Sequence, residues 1–585
     1  MSSPSENVIK KPSVESSLPP PGDRGMPPST RWAEAIRWCI WGVTLALLFM
    51  LVVYPVAGVC WLAISDPSTD HLAMETFFEQ ITSASTWIAA GNTIVMASGA
   101  TLLAATFAIP MAWLCTRTDM PGRRQINGLV FLTFMNPPIL FGLAYILILG
   151  PRIGLLTGAL VAMGIHSTIY SWWGLIFVTT CGSYAIIFMI TSAALENLDA
   201  DFENAAVAHS AGRRLTAVTV TLPLVRPALA SGCLMSFVLA LNSFGVQALI
   251  AIPARIPLLT TTIYSFFSYP VQLTAAANQA VLLICISLAV TIAANAYIAR
   301  HSYATIMGKG LRADRIVFSP RAKVAGLAFC GLVTGVTIVI PMAVVVLSSF
   351  AKVQGRLFHL SNFTLDGYLS LVRLGDVVDA IKNSLVLGVI SAVIMVVIAV
   401  SVAYFHRQKM VGSGTAKVVA EIPFVIPGIV LAVGFITAYS RPPLILYGTA
   451  SILVLAYVSK FLPIALRFSS NAMGQISIEL EESAYTHGGS RWLTFLAVLL
   501  PLMRRGLAGA AVLSFIFAFN ELSASILLIG GGRQVTSTVL LHYNEEGLLG
   551  PLNSFATIIF LVTACAYGLV MKFAGRSALI SRATL

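Results

Sequence analysis

Two segments of equal length, 203–224 and 481–502, each combine glutamate, histidine and arginine in a largely apolar chain. They read ENAAVAHSAGRRLTAVTVTLPL and EESAYTHGGSRWLTFLAVLLPL, and when Glu203 is aligned with Glu481 they share ten identical positions. Carboxylates, imidazoles and guanidinium groups at such positions can form ion pairs and hydrogen bonds. His209 and His487 match in this alignment, and their place among other polar residues favours solvent-exposed contacts over metal ligation.

Motifs for nucleotide or metal chemistry are missing from the sequence. There is no G-x-x-x-x-G-K-[ST] loop, GSGTAK at 412–417 fails that spacing, and no H-E-x-x-H pattern occurs. We therefore expect no catalytic residue, no metal site and no cofactor bound by the chain.

Polar side chains inside apolar segments are a second group of candidates, because such groups are costly in hydrocarbon and usually face protein or a water-filled cavity. Glu521 lies beyond Arg505, by about 24 Å in a continuous helix, which predicts a position toward the outer half of the membrane. A gate that attracts cations and a carboxyl group bonded between helices remain equal alternatives. Lys460 is close enough to Arg467, roughly 10 Å, to be expected to snorkel to the interface.

Asparagines and prolines complete this group. Asn92, Asn383 and Asn136 are expected to bond between helices, and Pro137-Pro138 and Pro427-Gly428 to break the third helix of each half. A broken helix could line a route through the membrane, although ordinary helix packing explains these residues equally well. The candidates for a translocation pathway are Asn136, Pro138, Asn242, Pro427, Asn520 and Glu521.

The elements that position these residues are predicted to be membrane helices. The chain has 585 residues with a mean hydropathy of +0.86 and 10% charged residues, more apolar surface than a soluble core can bury. Apolar runs of about 20 residues, the length that crosses roughly 30 Å of hydrocarbon, recur along the whole sequence. We predict twelve spans: 38–64, 92–115, 128–149, 172–194, 228–251, 276–299, 324–349, 383–404, 417–440, 446–469, 506–530 and 553–574.

Basic residues orient these spans. With the N-terminus inside, cytoplasmic stretches collect 27 Lys and Arg and outside loops collect 8, the positive-inside pattern. Both termini are then cytoplasmic, and the net charge of +12 needs no nucleic-acid partner.

The Pro- and Ser-rich segment 1–37 is predicted to be a disordered tail. The eight cysteines, all in apolar segments without C-x-x-C spacing, are interpreted as packing residues.

The sequence is an internal duplication. Besides the polar segments, Asn92 aligns with Asn383, and the distance between these two residues along the chain is slightly larger than that between the two polar segments. The first half therefore contains extra residues, which we expect in the outer loop 150–171. Six spans per half are an even number, so the two repeats are predicted to be parallel. The expected organisation is tail 1–37, repeat 38–299, cytoplasmic linker 300–323, repeat 324–575 and cytoplasmic tail 576–585.

The polar segment of the second half resembles the E-A-A-x3-G-x9-I-x-L-P loop of bacterial ABC-type importer permeases. Glu482-Ser483-Ala484, Gly488, Val498 and Leu500-Pro501 occupy the motif positions, and the loop follows the fourth predicted span, as in that family. The first half departs from the motif at Asn204 and Ser210. The resemblance covers roughly residues 38–575, and the fused cores together with 244–270 look most like iron(III)-type permeases.

The resemblance implies that each polar segment is a cytoplasmic coupling helix that docks on an ATPase subunit. The positions it assigns to coupling are Glu203, Asn204, Ala205, Ala206, Ser210, Leu222, Pro223, Glu481, Glu482, Ser483, Ala484, Gly488, Gly489, Leu500 and Pro501. Residues 480–487 and 490–499 can each form a helix, and Gly488-Gly489 can form the turn between them.

The expected fold is therefore an all-α integral membrane protein of the bacterial inner membrane, with twelve helices in two parallel six-helix repeats. The implied partners are two copies of an ABC ATPase, which uses ATP and Mg²⁺, a periplasmic solute-binding protein and the lipid bilayer. Ferric iron is the expected solute, with thiamine, polyamines and 2-aminoethylphosphonate as alternatives. A carrier driven by ion gradients is the alternative of another class, and a membrane scaffold is a third.

Overall fold

The computed structural model describes residues 28–65, 74–164, 166, 168–198, 206, 212–301, 315–355, 359–529 and 533–573. Within these ranges there is no β-strand, only isolated bridges from Thr118 to Ile316 and from Ala351 to Phe363. The prediction of an all-helical chain is confirmed for these residues. Contacts divide the chain into Met1–Val43, described from Pro28 onward, and Thr44–Leu585. The contacts between the repeats, the cavity and the polar segments described below belong to the second unit.

The described part of the first repeat contains thirteen helices, some joined by short π-helical turns. They are α1 Pro28–Leu48, α2 Tyr54–Ile64, α3 Met74–Thr82, α4 Ala84–Arg117, α5 Arg123–Met135, α6 Pro138–Leu149, α7 Thr157–Ala162, α8 Trp172–Asn197, α9 Arg213–Thr216, α10 Leu222–Leu241, α11 Phe244–Val246, α12 Leu259–Ser265 and α13 Leu273–His301.

The second repeat has the same order of long helices. They are α14 Pro320–Thr334, α15 Ile340–Ser349, α16 Asp366–Leu374, α17 Asp376–Arg407, α18 Ser413–Glu421, α19 Gly428–Tyr439, α20 Ala450–Gly474, α21 Ile478–Thr486, α22 Arg491–Thr494, α23 Leu500–Phe519, α24 Ser525–Leu528, α25 Thr536–Glu545 and α26 Leu549–Phe573.

Ten helical segments of the described chain are long and apolar enough to cross a membrane, and two bent pairs raise the number to as many as twelve. The bent pairs are Arg123–Met135 with Pro138–Leu149, at 103°, and Ser413–Phe424 with Gly428–Tyr439, at 113°. The breaks predicted at Pro137-Pro138 and Pro427-Gly428 are therefore confirmed. A proline cannot donate a backbone hydrogen bond and disfavours the α conformation of the residue before it.

Several predicted boundaries move. The first helix begins at Pro28, so the boundary predicted at residue 38 falls inside a helix, and residues 1–27 lie outside the described ranges. The spans predicted as 228–251 and 506–530 are wrong at both ends, because the continuous helical segments are 217–241 and 491–519. Each of them ends at an asparagine, Asn242 or Asn520, instead of continuing outward.

Residues that the sequence alignment of the two repeats matches also have matching secondary structure. The π-helical turns Ala217–Thr221 and Phe495–Leu499 occupy aligned positions, and so do the starts of the helices that follow them, Leu222 and Leu500. Both turns directly precede a Leu-Pro pair, and a π turn is a common irregularity inside a longer helix. The extra loop of the first repeat, 150–171, contains α7, whereas 440–449 contains no helix.

The two repeats interlock through their first spans. Tyr439 of the second repeat donates a 2.7 Å hydrogen bond to the carbonyl oxygen of Met50, and Tyr145 of the first repeat donates one to the carbonyl oxygen of Val336. Met50 and Val336 occupy the same position of corresponding π-helical turns, Phe49–Val53 and Gly335–Val339. Each of these two π turns thus contacts the opposite repeat and supplies a carbonyl group as the acceptor.

Matched asparagines fix the loop between the fifth and sixth spans. The side-chain amide of Asn92 donates to the carbonyl oxygen of Pro257 at 2.9 Å, and that of Asn383 to Gln534 at 3.0 Å. The neighbouring hydroxyl of Ser384 accepts from the backbone N–H of Thr536. Asn92 and Asn383 therefore bond to loop carbonyl groups, whereas the prediction was a bond between helices.

The end of the linker is held against the first repeat. Asp119 lies 2.6 Å from Lys323 and accepts the backbone N–H of Phe318. The hydrogen bond from Lys323 and that from Phe318 lower the pKa of the Asp119 carboxyl. The residues of the linker from 302 to 314 lie outside the described ranges.

Candidate functional site

The second polar segment forms a helix, a tight turn and a second helix. Helix α21 ends in a Schellman turn: Gly488 has φ +82°, its N–H bonds to Tyr485, and the N–H of Gly489 bonds to the carbonyl oxygen of Ala484 at 2.9 Å. Ser490 then caps α22 by accepting the N–H of Leu493. The helix–glycine turn–helix geometry expected for 480–499 is confirmed.

The residues assigned to coupling point in different directions from α21. Glu481 is buried, whereas Glu482 and Ser483 are exposed and Ala484 is half-buried. His487 is exposed, and its Nδ1 lies 2.8 Å from the carbonyl oxygen of Ser483. Leu500 and Pro501 begin α23, directly after the π turn. The motif carboxylate Glu482 is therefore available to a partner, and its neighbour Glu481 is not.

Apolar side chains share the exposed surface of this segment. Ile478, Leu480, Trp492 and Leu493 each expose about half of their surface or more. Large apolar residues that lie exposed beside charged ones are typical of contact surfaces. In the first repeat Leu215, the counterpart of Leu493, is exposed to a similar extent.

Eight of the 22 residues of the first polar segment, 203–205 and 207–211, lie outside the described residues. This holds for Glu203, Asn204, Ala205, Ser210 and His209, whereas Ala206 is described as a half-buried helical residue. Leu222 and Pro223 begin α10 after the π turn, as Leu500 and Pro501 begin α23.

A cavity of about 200 Å³ lies where the two repeats meet. Five of the six pathway candidates line it; the list is Asn136, Pro138, Asn242, Asn520 and Glu521. The sixth, Pro427, is absent from the lining and caps α19 instead. Aromatic side chains from both repeats form much of the wall, and the rings of Phe134 and Phe517 meet edge to face at 5.5 Å.

An ion pair forms the charged part of the cavity wall. The ammonium nitrogen of Lys460 lies 2.9 Å from each carboxylate oxygen of Glu521, and the side chains are 11% and 6% exposed. Oε1 of Glu521 also accepts the backbone N–H of Ala524 at 2.8 Å. The expectation that Lys460 snorkels is wrong, because a buried carboxylate holds its charge inside the protein. Glu521 lies beyond the end of α23, not within a helix, and is bonded between elements while facing the cavity.

Corresponding asparagines reach across the repeat interface to the helix breaks. Oδ1 of Asn242 accepts the N–H of Gly428 at 3.2 Å, and Nδ2 of Asn520 lies 3.4 Å from the carbonyl oxygen of Met135. Asn136 donates to the sulfur of Met342 in the opposite repeat, which confirms its predicted contact between helices. The broken third helix of each repeat is thus tied to the fifth helix of the other.

The ion pair has no counterpart in the first repeat. In the alignment of the two polar segments, Lys460 falls on Gly182 and Glu521 on Ser243, and both small residues line the same cavity. Both charged residues are replaced by uncharged ones in the first repeat, and this joint difference is the sequence signal from which the contact between Lys460 and Glu521 could have been predicted. The charged residues that line the cavity therefore come from the second repeat, and Gly182 and Ser243 take their positions in the first.

Comparison with known proteins places this geometry in a family. The profile of the binding-protein-dependent transport system inner membrane component family matches twice, at residues 104–302 and 395–577. The chain belongs to this family. The double match agrees with the internal duplication and with two permease cores in one chain.

Relatives of similar length match most of the chain. The ferric transport system permease protein FbpB of Actinobacillus pleuropneumoniae is 25% identical over 537 residues, 88% of this chain and 75% of the relative. A putative ferric transport system permease protein FbpB 1 of Haemophilus influenzae is 26% identical over 84% of this chain and 78% of its own length.

Shorter relatives match about half of the chain. The putative 2-aminoethylphosphonate transport system permease protein PhnV of Salmonella typhimurium is 24% identical over 42% of this chain and 93% of its own length. A crystal structure of a bacterial ABC transporter that imports alginate matches 47% of this chain and 100% of the solved chain, at 18% identity and a TM-score of 0.40.

Family membership identifies the chain as a multi-pass transport component of the inner membrane that works with a binding protein and an ATPase. It is a transport subunit and not an enzyme. This decides between the binding-protein-dependent permease and the carrier driven by ion gradients in favour of the permease.

Proposed function

We propose that this chain forms the whole membrane channel of an ABC importer and receives one ATPase subunit at each polar segment. The observation that carries the proposal is the second segment, whose motif carboxylate Glu482 and apolar residues Leu480 and Trp492 are exposed together. The turn at Gly488 separates two short helices that could seat in a cleft of the ATPase. ATP and Mg²⁺ would act in that partner.

The proposed topology has twelve spans in two parallel six-helix repeats, with both termini and both polar segments in the cytoplasm. Its support is the excess of basic residues on that side, 27 against 8 outside, and two bent pairs that each count as one span. A periplasmic binding protein would deliver the solute to the outer loops, and closure of two ATPase subunits would switch the channel between outward- and inward-facing states.

The cavity between the repeats is the proposed translocation pathway. Its wall joins the helix breaks of both repeats, and breaks of this kind are tolerated at membrane depth where the backbone is buried in protein or lines a cavity. Asn242 and Asn520 cross the repeat interface at the breaks. A change in the relative position of the repeats would therefore open or close this cavity.

Ferric iron is the solute we propose, since two relatives that match more than four fifths of the chain carry the name of ferric transport permeases. The half-length matches to 2-aminoethylphosphonate permeases support that compound as a second candidate. Uptake of ferric iron and of 2-aminoethylphosphonate by cells that contain the chain, its ATPase and its binding protein tests the choice. ATP-dependent uptake of ferric iron supports the proposal, whereas uptake of the phosphonate alone would reject it.

A further inference from the structure

Three elements of the second repeat meet at the side chain of Arg407, the last residue of α17. Its Nε lies 2.6 Å from Oε1 of Glu481, and the two side chains are 14% and 6% exposed. Its Nη2 donates to the carbonyl oxygen of Ile476 at 3.0 Å, and its Nη1 donates to that of Met473. One guanidinium thus contacts the end of α20 and the first turn of α21.

The guanidinium combines a close ion contact to Glu481 with hydrogen bonds to two carbonyl groups at the end of α20 and just beyond it. The last carbonyls of a helix have no partner inside the helix, and a cation at that end also interacts favourably with the helix dipole. Glu481 lies in the first turn of α21, where a carboxylate is favourable. The planar guanidinium, with its five N–H donors, can hold several acceptors in a fixed arrangement, which an ammonium cannot.

The chain itself does not connect α17 to α21. Helix α21 continues from α20 through residues 475–477 and leads into α22 through the glycine turn, whereas Arg407 precedes α18, α19 and α20 in the sequence. Other side chains of this end of the repeat also contact the polar segment. Nε2 of Gln408 lies 3.4 Å from Oε2 of Glu481, and the ring centre of Tyr404 lies 4.8 Å from that of Phe495, in the π turn after α22.

Helix α17 leads from this junction to the opposite end of the repeat. Near its start, Asn383 and Ser384 hold the segment before α25 by bonds to Gln534 and Thr536. A Cβ atom on Gly388, one turn further, would lie 3.1 Å from the ring of Phe515 in α23. A continuous helix of 32 residues therefore links the polar segment to the loop that Asn383 and Ser384 hold and to α23.

We propose that Arg407 is a positioning residue that transmits the movement of α21 to α17, so that ATP hydrolysis in the ATPase docked at the polar segment opens the far end of the pathway. The inference rests on the proposed docking of an ATPase at 481–502. Arg407 acts through Glu481, and it differs from the motif carboxylate Glu482, which faces the partner.

The first repeat contains a corresponding arginine. Each arginine ends a long helix and is followed five positions later by a left-handed glycine, Gly122 after Arg117 and Gly412 after Arg407. Arg117 is buried, and Glu203, the counterpart of Glu481, lies outside the described residues.

The test uses the complex of this chain with its ATPase and binding protein in proteoliposomes, with ferric iron as the probe. We measure ATPase co-purification, ATP hydrolysis and iron imported per ATP in Arg407→Gln, Glu481→Gln and the double variant. Glu479→Gln is the matched control, because it removes an exposed carboxylate from the same turn of α21. The melting temperature of each purified complex shows whether it is folded.

We expect Arg407→Gln and Glu481→Gln to keep the ATPase bound and active while iron imported per ATP falls about tenfold, the effect of losing one charge-assisted contact. The double variant should be no worse than either single variant, because both remove the same contact. Glu479→Gln should keep the wild-type ratio. Arg407→Lys, which keeps the charge but not the fork of donors, should fall between wild type and Arg407→Gln.

An unchanged ratio in folded Arg407→Gln, or an equal loss in Glu479→Gln, would overturn the inference. Additive losses in the double variant would overturn it as well. Failure of the proposed function is a different result, since the wild-type chain would then neither co-purify with the ATPase nor import iron.

Discussion

Lys460 and Glu521, far apart in the sequence, form an ion pair in which the ammonium nitrogen lies 2.9 Å from both carboxylate oxygens. Lys460 belongs to α20, and Glu521 follows the end of α23. A buried pair of this kind keeps both charges in the protein because each compensates for the desolvation of the other. The pair gives the cavity between the repeats one charged wall of zero net charge.

Removing one charge should be worse than removing both. Glu521→Gln or Lys460→Met leaves the other charge buried without a counterion, which we expect to cost about 3–5 kcal/mol of stability. The double variant should recover most of this loss. Thermal unfolding of the purified chain in detergent measures the effect, and additive losses in the double variant would show that the two charges do not depend on each other.

Gly428 is predicted to tolerate no side chain. A Cβ atom there would press on the ammonium of Lys460 and lie 3.0 Å from Oε1 of Glu521. Gly428→Ala should therefore destabilise the chain by about 1–3 kcal/mol, as overpacking does, and should reduce uptake. Gly414→Ala is the control, since it is also helical and has nothing within 4 Å of the added atom. Equal melting temperatures for the two variants would refute the prediction.

Gly488 is predicted to matter for coupling more than for assembly. Its φ of +82° costs a branched residue about 1–2 kcal/mol, so Gly488→Val should deform the turn after α21. We expect ATP hydrolysis to continue while uptake falls. Gly474→Ala, at the end of α20 with nothing within 4 Å, is the control. Normal uptake per ATP in Gly488→Val would contradict the coupling role of the turn.

Asn242 is predicted to stabilise the contact between repeats. Asn242→Ala leaves the N–H of Gly428 without its partner at the helix break, at a cost of about 1–3 kcal/mol. Asn295→Ala, at an exposed position of α13, should change stability little. Chemical or thermal unfolding measures both, and similar values for the two variants would count against the contact.

Much of the fold follows from local sequence signals. Apolar length predicts the spans, and Pro137-Pro138 and Pro427-Gly428 predict the breaks, because proline acts on its own backbone and that of its neighbour. The glycine turn of 488–489 is also predictable from local sequence, because a turn with a positive φ favours glycine. The internal duplication then predicts that each feature occurs twice, as the π turns before Leu222 and Leu500 show.

Contacts between distant residues were not predictable in the same way. From its distance to the helix end, Lys460 was expected to snorkel to the interface. In the structure Glu521 lies just after the end of α23, and this position brings its carboxylate to the ammonium group of Lys460. Arg407 appears in the sequence as one basic residue among several, and its role depends on the packing of α17 against α20 and α21. Hydropathy carries no information on such pairings.

The central claim is that residues 481–502 receive an ATPase on the cytoplasmic side. Photocrosslinking tests it most directly, with a photoreactive amino acid at position 482, which is exposed on α21, and with the control at position 269, which is exposed in the loop before α13. With the ATPase co-expressed, we predict a product of the chain and one ATPase subunit from position 482 and none from position 269. A product from position 269, or none from 482, would contradict the account.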